Sequence, residues 1–291
     1  MRWGLFAGLL VRLVLGWLLW PYLGNMCAVA VEVPIPDVPL VVLSSGNSCG
    51  VFEPCRCPTN PYGGIARRAT LVNEYRKKYN ALILLDSGNI FDSATSHLWG
   101  NLLTLAYHTC RYDAVALGSL DVMYARKVGA EEFRAMDLPW VCGNMETGRE
   151  ELGVVKYRIL RRGKYKVGVT AFLEPYLVNQ DVLREVSPPI NLSNPGDVLP
   201  GLVEELRKRA DVVCVLAHME RPQAEQLFKR TKGIDLFIMG HDKRLTALNG
   251  TNLFSSPVLV EVGRLGQYLG VSELKGSVNP NRLTWRVRHI R

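Results

Sequence analysis

Charge-free apolar runs of membrane length are absent from this chain of 291 residues. The N-terminal candidate, residues 3–23, is interrupted by Arg12, and an arginine near a bilayer centre costs about 2.5–3.5 kcal/mol. No RGG tract, helix-turn-helix pattern or aromatic-basic ladder occurs, which excludes nucleic acid as the expected partner. No Cys-x-x-Cys-His occurs, so covalent c-type haem is not encoded. Internal repeats and low-complexity linkers are missing too. Histidine is scarce, with five in the whole chain, so few imidazoles are available to hold a metal. What remains is ordinary globular material, 48% hydrophobic and 21% charged, enough for one large domain or two small ones. The net charge of +8 favours anions such as phosphates.

The first thirty residues read as a targeting segment. Arg2 and Arg12 supply positive charge, Leu13 to Leu23 is an apolar run of 11 residues, and Ala28-Val29-Ala30 is a small-x-small cleavage site. The expected division is a signal peptide over 1–30 and one domain over 31–291. The mature chain is then exported, into the periplasm if the source is bacterial. An uncleaved segment would instead anchor the chain through residues 3–23. Cys27 is not a convincing lipid-attachment site, because Met26 stands where a small residue is expected.

From residue 31 onward strands and helices alternate. Strands are expected at Pro39–Leu43, Ala81–Asp86, Asp113–Leu117, Trp140–Cys142, Val212–Ala217 and Leu236–Met239. Helices are expected at Gly64–Tyr79, His97–Cys110, Ala130–Met136 and Asp197–Lys208. Val155–Leu160 and Lys166–Phe172 suit an antiparallel pair turning at Arg162-Gly163. Val258–Val262, Tyr268–Leu274 and Leu283–His289 read as closing strands. Ser187–Pro200 reads as a surface loop. Continuous apolar strands imply parallel sheets covered on both faces. Two histidines, His218 and His241, follow the ends of such strands, where open α/β sheets bind ligands.

The loops after the strands carry Asn47-Ser48-Cys49-Gly50, Asp86-Ser87-Gly88-Asn89, Gly118-Ser119-Leu120-Asp121, Gly143-Asn144, His218 and Gly240-His241-Asp242-Lys243. Gly63-Gly64-Ile65-Ala66-Arg67-Arg68-Ala69-Thr70, Tyr112-Asp113-Ala114-Val115-Ala116-Leu117-Gly118 and Val262 to Gly270 complete an ordered series. This series resembles the metallophosphoesterase (calcineurin-like) superfamily, in particular the catalytic domain of 5′-nucleotidases, over nearly all of residues 38 to 275. The resemblance implies a four-layer α/β/β/α sandwich. It also implies two-metal phosphoester hydrolysis, in which paired cations polarise the phosphate and activate a bridging water.

The ligand set expected from that resemblance is largely changed. Its Asp-x-His has become Asn47-Ser48-Cys49, its bridging aspartate has become Asn89, and its Gly-Asn-His-Asp has become Gly118-Ser119-Leu120-Asp121. Its Gly-His-x-His has become Gly240-His241-Asp242-Lys243. His218 and His241 are retained, and Asp121 keeps its motif's closing acid. Two carboxylates that would neutralise dications are gone, and Lys243 adds a like charge. The expected remnant is a single divalent site (Zn, Mn or Fe) built from His218, His241, Asn89, Asn47 and Cys49, at reduced occupancy or absent.

Cys49 has a second possible role, because Cys55 and Cys57 share its loop. A disulfide among these three, or a thiol site, suits an exported chain. Arg67 and Lys243 are candidate contacts for an anion or a partner. Arg68 could share that role, with one of the two arginines facing solvent. Asp86 is expected to order its own turn, and Asp92 could supply a carboxylate only if its loop folds back. Cys142, Cys214 and Cys110 are expected to be structural, and His97 and His108 to lie on the surface.

The chain ends shortly after the final catalytic-domain strands, so no carrier of nucleoside specificity is evident. Two functions follow. One is a divergent phosphoester (nucleotide) hydrolase acting on a small phosphate-containing ligand. The other is a catalytically inactive module that binds a metal, an anion or a partner protein in the same compartment.

Overall fold

The structure, a computed structural model, describes residues 39–56, 58, 61–241, 258–274 and 283–289. The proposed signal segment, Cys57, Asp242 and Lys243 lie outside the described residues. In chain order the elements are β1 (Leu40–Ser45), α1 (Ile65–Lys78), β2 (Leu82–Asp86), α2 (His97–Cys110), β3 (Ala114–Ala116), α3 (Ser119–Val128), α4 (Ala130–Ala135), β4 (Trp140–Val141) and α5 (Arg149–Leu152). Next come β5 (Tyr157–Arg162), β6 (Tyr165–Leu173), α6 (Gln180–Glu185), α7 (Pro195–Arg207), β7 (Val212–His218), α8 (Arg221–Arg230), β8 (Leu236–Met239), β9 (Val258–Glu261), β10 (Tyr268–Leu274) and β11 (Leu283–His289).

Two mixed sheets result. One has the order β11-β10-β1-β2-β3-β4, with β1 to β4 parallel and β10 antiparallel to both its neighbours. The other has the order β5-β6-β7-β8-β9, parallel except for the β5–β6 hairpin.

The continuous apolar strands are explained by burial on both faces. In β2, Ile83 and Leu85 join the cluster between the sheets, while Leu82 and Leu84 join the cluster under α1, α2 and α3. In β7, Val212, Cys214 and Leu216 face the inter-sheet cluster, whereas Val213, Val215 and Ala217 face an outer cluster with Leu199, Leu202 and Leu206 of α7. Side chains alternate with period two, so a strand with a core on each side needs apolar residues at every position. Three apolar layers separate four layers of backbone, which is the expected α/β/β/α sandwich. The same alternation puts His218, two residues past Leu216, on the inter-sheet side of β7.

Several local expectations need correction. Ser187–Pro200 is not all loop, because α7 begins at Pro195, with the Asn194 side chain capping Gly196 N–H at 2.7 Å. Proline at the first helical position costs nothing, since that N–H is unpaired in any helix. Pro200 lies inside the helix, where the buried stripe Leu199, Leu202, Val203 and Leu206 outweighs its missing hydrogen bond. The hairpin turns at Gly163-Lys164, one residue later than expected. Helices α3 and α8 escape an apolar-period search because their surfaces are mostly polar; α8 buries only Ala224.

Candidate functional site

The described candidate residues meet where the C-terminal ends of the two sheets converge. His218 is fully buried, and its Nδ1 lies 3.1 Å from the Ser87 carbonyl, which closes the β2 turn of the other sheet. A carbonyl oxygen only accepts, so Nδ1 carries the proton and Nε2 presents a lone pair. Burial, reinforced by neighbouring His241, lowers the His218 pKa to about 3, so the ring is neutral at ordinary pH. His241 Nδ1 stands 3.3 Å from His218 Nε2, and Ser119 Oγ stands 3.4 Å from the same atom. Two nitrogens each about 2.0–2.1 Å from a tetrahedral ion lie about 3.3–3.4 Å apart, so the histidine pair has the spacing of two ligands on one cation.

The loops that would complete a metal centre are zipped together by backbone. Asn47 N–H donates to Gly88 O, Cys49 N–H to Asn89 O and Gly50 N–H to Ile90 O, at 2.7, 2.8 and 2.7 Å. Asn47, Cys49 and Asn89 all adopt left-handed backbone, with φ of 52°, 50° and 58°. Asparagine tolerates this region, whereas a cysteine there is strained. Gly88, at φ 92°, makes the approach possible, since a Cβ there would stand 2.9 Å from Ala116 O.

The two asparagines satisfy each other. Leu120 N–H donates to Asn89 Oδ1 at 2.9 Å, which turns the Asn89 amide nitrogen toward Asn47 Oδ1, 3.3 Å away. Asn47 Nδ2 in turn donates to the His241 carbonyl at 3.3 Å, and the Cys49 thiol points at Asn47 Oδ1, 3.2 Å away. Both amide oxygens, the atoms that would face a cation, are engaged within the protein. Burial, then the Asp121 charge, pushes the Cys49 thiol up to about 11, so it is protonated at ordinary pH. Among the described residues, no three His, Cys, Asp or Glu side chains are grouped so as to hold a metal ion. The residues therefore do not fit a pair of dications.

Asp121 anchors this arrangement from below. Its carboxylate is fully buried and accepts from the backbone N–H groups of Gly118, Asn89 and Phe91 at 2.9, 2.8 and 3.2 Å. Burial outweighs those bonds and raises its pKa to about 7. Beside it lies an internal network that the sequence reading did not assemble. Arg68 donates to Tyr112 Oη at 3.0 Å and to Ser48 Oγ at 3.0 Å, while Tyr107 and Ser45 donate to Asp86 at 3.0 and 2.6 Å. Asp86 also accepts from Gly88 N–H at 2.9 Å, ordering its own turn as expected. The signal for Arg68 was helical spacing: Arg68, Val72 and Tyr75 lie on one buried face of α1.

The remaining candidates scatter. Arg67 donates to the Pro61 carbonyl. Cys49 carries a free thiol and is not bonded to Cys55. Asp92 bonds Thr95 at 2.7 Å, within its own turn. His97 pairs with Glu132 at 2.9 Å, and His108 meets Met136 O at 2.8 Å. Cys110, Cys142 and Cys214 are buried core thiols.

Known proteins share this architecture, although no protein-family model matches the chain. A snake venom 5′-nucleotidase of Crotalus adamanteus is 26% identical over 198 residues, 62% of this chain and 32% of that protein. The chain thus spans about a third of the curated relatives it matches first. The solved structure of a 5′-nucleotidase precursor from Thermus thermophilus superposes with a TM-score of 0.72 at 19% identity, covering 86% of this chain and 54% of that one. The calcineurin-like phosphoesterase YfkN of Bacillus subtilis superposes with a TM-score of 0.65 at 19% identity, covering 88% and 92%. The chain has the metallophosphoesterase fold, and its relatives are 5′-nucleotidases and calcineurin-like phosphoesterases. Among the described residues no helix is long and apolar enough to cross a membrane.

Proposed function

We propose that this protein is an exported, divergent member of the 5′-nucleotidase-like phosphoesterases whose centre takes one divalent cation rather than two. The observation that carries this reading is the His218–His241 pair, with one lone pair fixed by Ser87 and a nitrogen separation of 3.3 Å. Zinc, manganese or iron suits imidazole nitrogen. A cation there would supply Lewis-acid polarisation of a phosphoryl oxygen. The chain's own contribution is positional. Ser87 O fixes the His218 tautomer, and Asp121 holds the Asn89 loop against α3. The protonated Cys49 thiol and the paired amides of Asn47 and Asn89 contribute no negative charge. The substrate is a small phosphate ester, by analogy with the nucleotidase and phosphoesterase relatives. Export rests on the basic, apolar and small-residue order of residues 1–30.

The closed amide pair favours a second reading, a non-catalytic module that binds an anion or a partner protein. Titration of chelator-treated protein with Zn²⁺ and Mn²⁺ separates the two. The first reading expects one ion per chain, lost in His218→Ala and in His241→Ala, with metal-dependent cleavage of p-nitrophenyl phosphate. Two ions per chain, or cleavage that survives both alanines, would overturn it. No ion and no cleavage would leave the module.

A further inference from the structure

Arg68 on α1 is fully buried, and among the described residues no carboxylate pairs with its guanidinium directly. A buried charge is costly, so the hydroxyls around it carry the compensation. Nη1 donates to Tyr112 Oη at 3.0 Å and to Tyr107 Oη at 3.3 Å, and Nη2 donates to Ser48 Oγ at 3.0 Å. Beyond them lies Asp86, itself fully buried at the end of β2.

The direction of every hydroxyl proton is forced from these two ends. Arginine only donates, and an ionised carboxylate only accepts. Tyr107 gives its one proton to Asp86 Oδ2 at 3.0 Å, so its oxygen accepts from Ser48 Oγ at 3.2 Å as well as from Arg68. Ser45 gives its proton to Asp86 Oδ2 at 2.6 Å, so Tyr112 donates to Ser45 Oγ at 2.7 Å. Two donor chains therefore run from guanidinium to carboxylate, one through Ser48 and Tyr107 and one through Tyr112 and Ser45. Bonds aligned head to tail polarise one another.

Both ends of this network grip a loop of the candidate site. Ser48 is buried between Asn47 and Cys49, the two left-handed residues of the β1 loop. Asp86 accepts from Gly88 N–H at 2.9 Å, which sets the turn before Asn89. The guanidinium also occupies the space beside Gly266, where a Cβ would stand 2.3 Å from Nη2. The neighbouring Leu265 N–H donates to Asn47 O at 2.7 Å.

We propose that Arg68 is a positioning residue of the candidate site, holding Asn47 and Cys49 through Ser48 and Asn89 through Asp86. Lysine cannot substitute, because a single ammonium lacks the planar fork that spans Ser48, Tyr107 and Tyr112. The proposal rests on residues 47–49 and 89 forming the site, not on a metal being bound there.

Alkylation of the metal-free full chain by N-ethylmaleimide, resolved by peptide mass spectrometry, tests it. The rate at Cys49 reads the β1 loop, while Cys55 and the buried Cys110 report looser packing elsewhere. Arg68→Lys and Ser48→Ala should each speed Cys49 alkylation at least about fivefold, as expected for one lost buried hydrogen bond, with Cys55 and Cys110 changed less than about twofold. Because Arg68 acts on Cys49 through Ser48, the double variant should match the faster single variant instead of multiplying the two effects. An unchanged Cys49 rate, an equal rise at all three cysteines, or multiplied effects in the double variant would each overturn it. If Arg68→Lys does not fold, judged by its melt, Ser48→Ala decides alone: an unchanged Cys49 rate there overturns the proposal. The Zn²⁺ titration decides the hydrolase reading separately.

Discussion

Asn47 and Asn89 show how one atom type decides what a site requires. Two carboxylates at 3.3 Å would repel and call for a cation, whereas two amides at that distance bond to each other. Replacing both, Asn47→Asp with Asn89→Asp, should lower the melting temperature of chelator-treated protein, by about 1–3 kcal/mol of stability. Mn²⁺ or Zn²⁺ should restore it. Thermal melts with and without metal check this, and an unchanged metal-free melt would argue against the amide bond. The buried titrating groups give a pH signature as well. His218, lowered from 6.5 to about 3, binds fewer protons folded than unfolded, so its contribution is present above pH 6.5 and lost as pH falls. Asp121, raised from 3.8 to about 7, acts in the opposite sense: its contribution is present below 3.8 and lost as pH rises toward 7. Asp86, also raised by burial, adds to that falling arm. Between about pH 4 and 6.5 the His218 and Asp121 slopes, each up to about 1.4 kcal/mol per pH unit, oppose one another. His218→Ala should remove the rising arm, so urea unfolding of that variant should give stability that falls more steeply with pH than in the parent.

At the scale of elements, α3 is held by Asp121 rather than by an apolar stripe alone. Its carboxylate ties the Gly118 cap to Asn89 and Phe91. Asp121→Ala leaves those three N–H groups without it, and an unsatisfied buried donor costs about 1–3 kcal/mol, partly offset by losing a buried charge. A net loss of about 2–4 kcal/mol in chemical denaturation is expected, with faster amide exchange at Asn89 than in β2. The helix itself was not legible in the sequence, because Gly118 to Asp121 read as a loop motif and the polar face hid the period. In contrast, α2 matched its expected span of His97–Cys110, since its small, apolar and aromatic residues, together with the Ser96 cap, define both ends.

For the molecule as a whole, the decisive contact is between the sheets at their C-terminal ends. Gly240 of one sheet lies against Ser87 of the other, so close that a Cβ would stand 2.3 Å from Ser87 O. Gly240→Ala should force the ends apart, costing about 1–3 kcal/mol and lengthening the His218–Ser87 bond. The variant should bind Zn²⁺ more weakly than the parent, measured by titration. Unaltered binding and stability would show that the approach of the sheets does not position the histidine pair.

The sequence by itself determined the layering, because a strand apolar at every position can exist only between two cores. It also determined the order of the loops that converge at the site. Only the tertiary structure decided how the side chains of those loops meet. The Asn47–Asn89 bond joins residues 42 apart, and the Ser87–His218 bond joins residues 131 apart on different sheets. The direction of an amide or the protonated nitrogen of an imidazole depends on which donor or acceptor packing brings opposite it, and no local pattern contains that information.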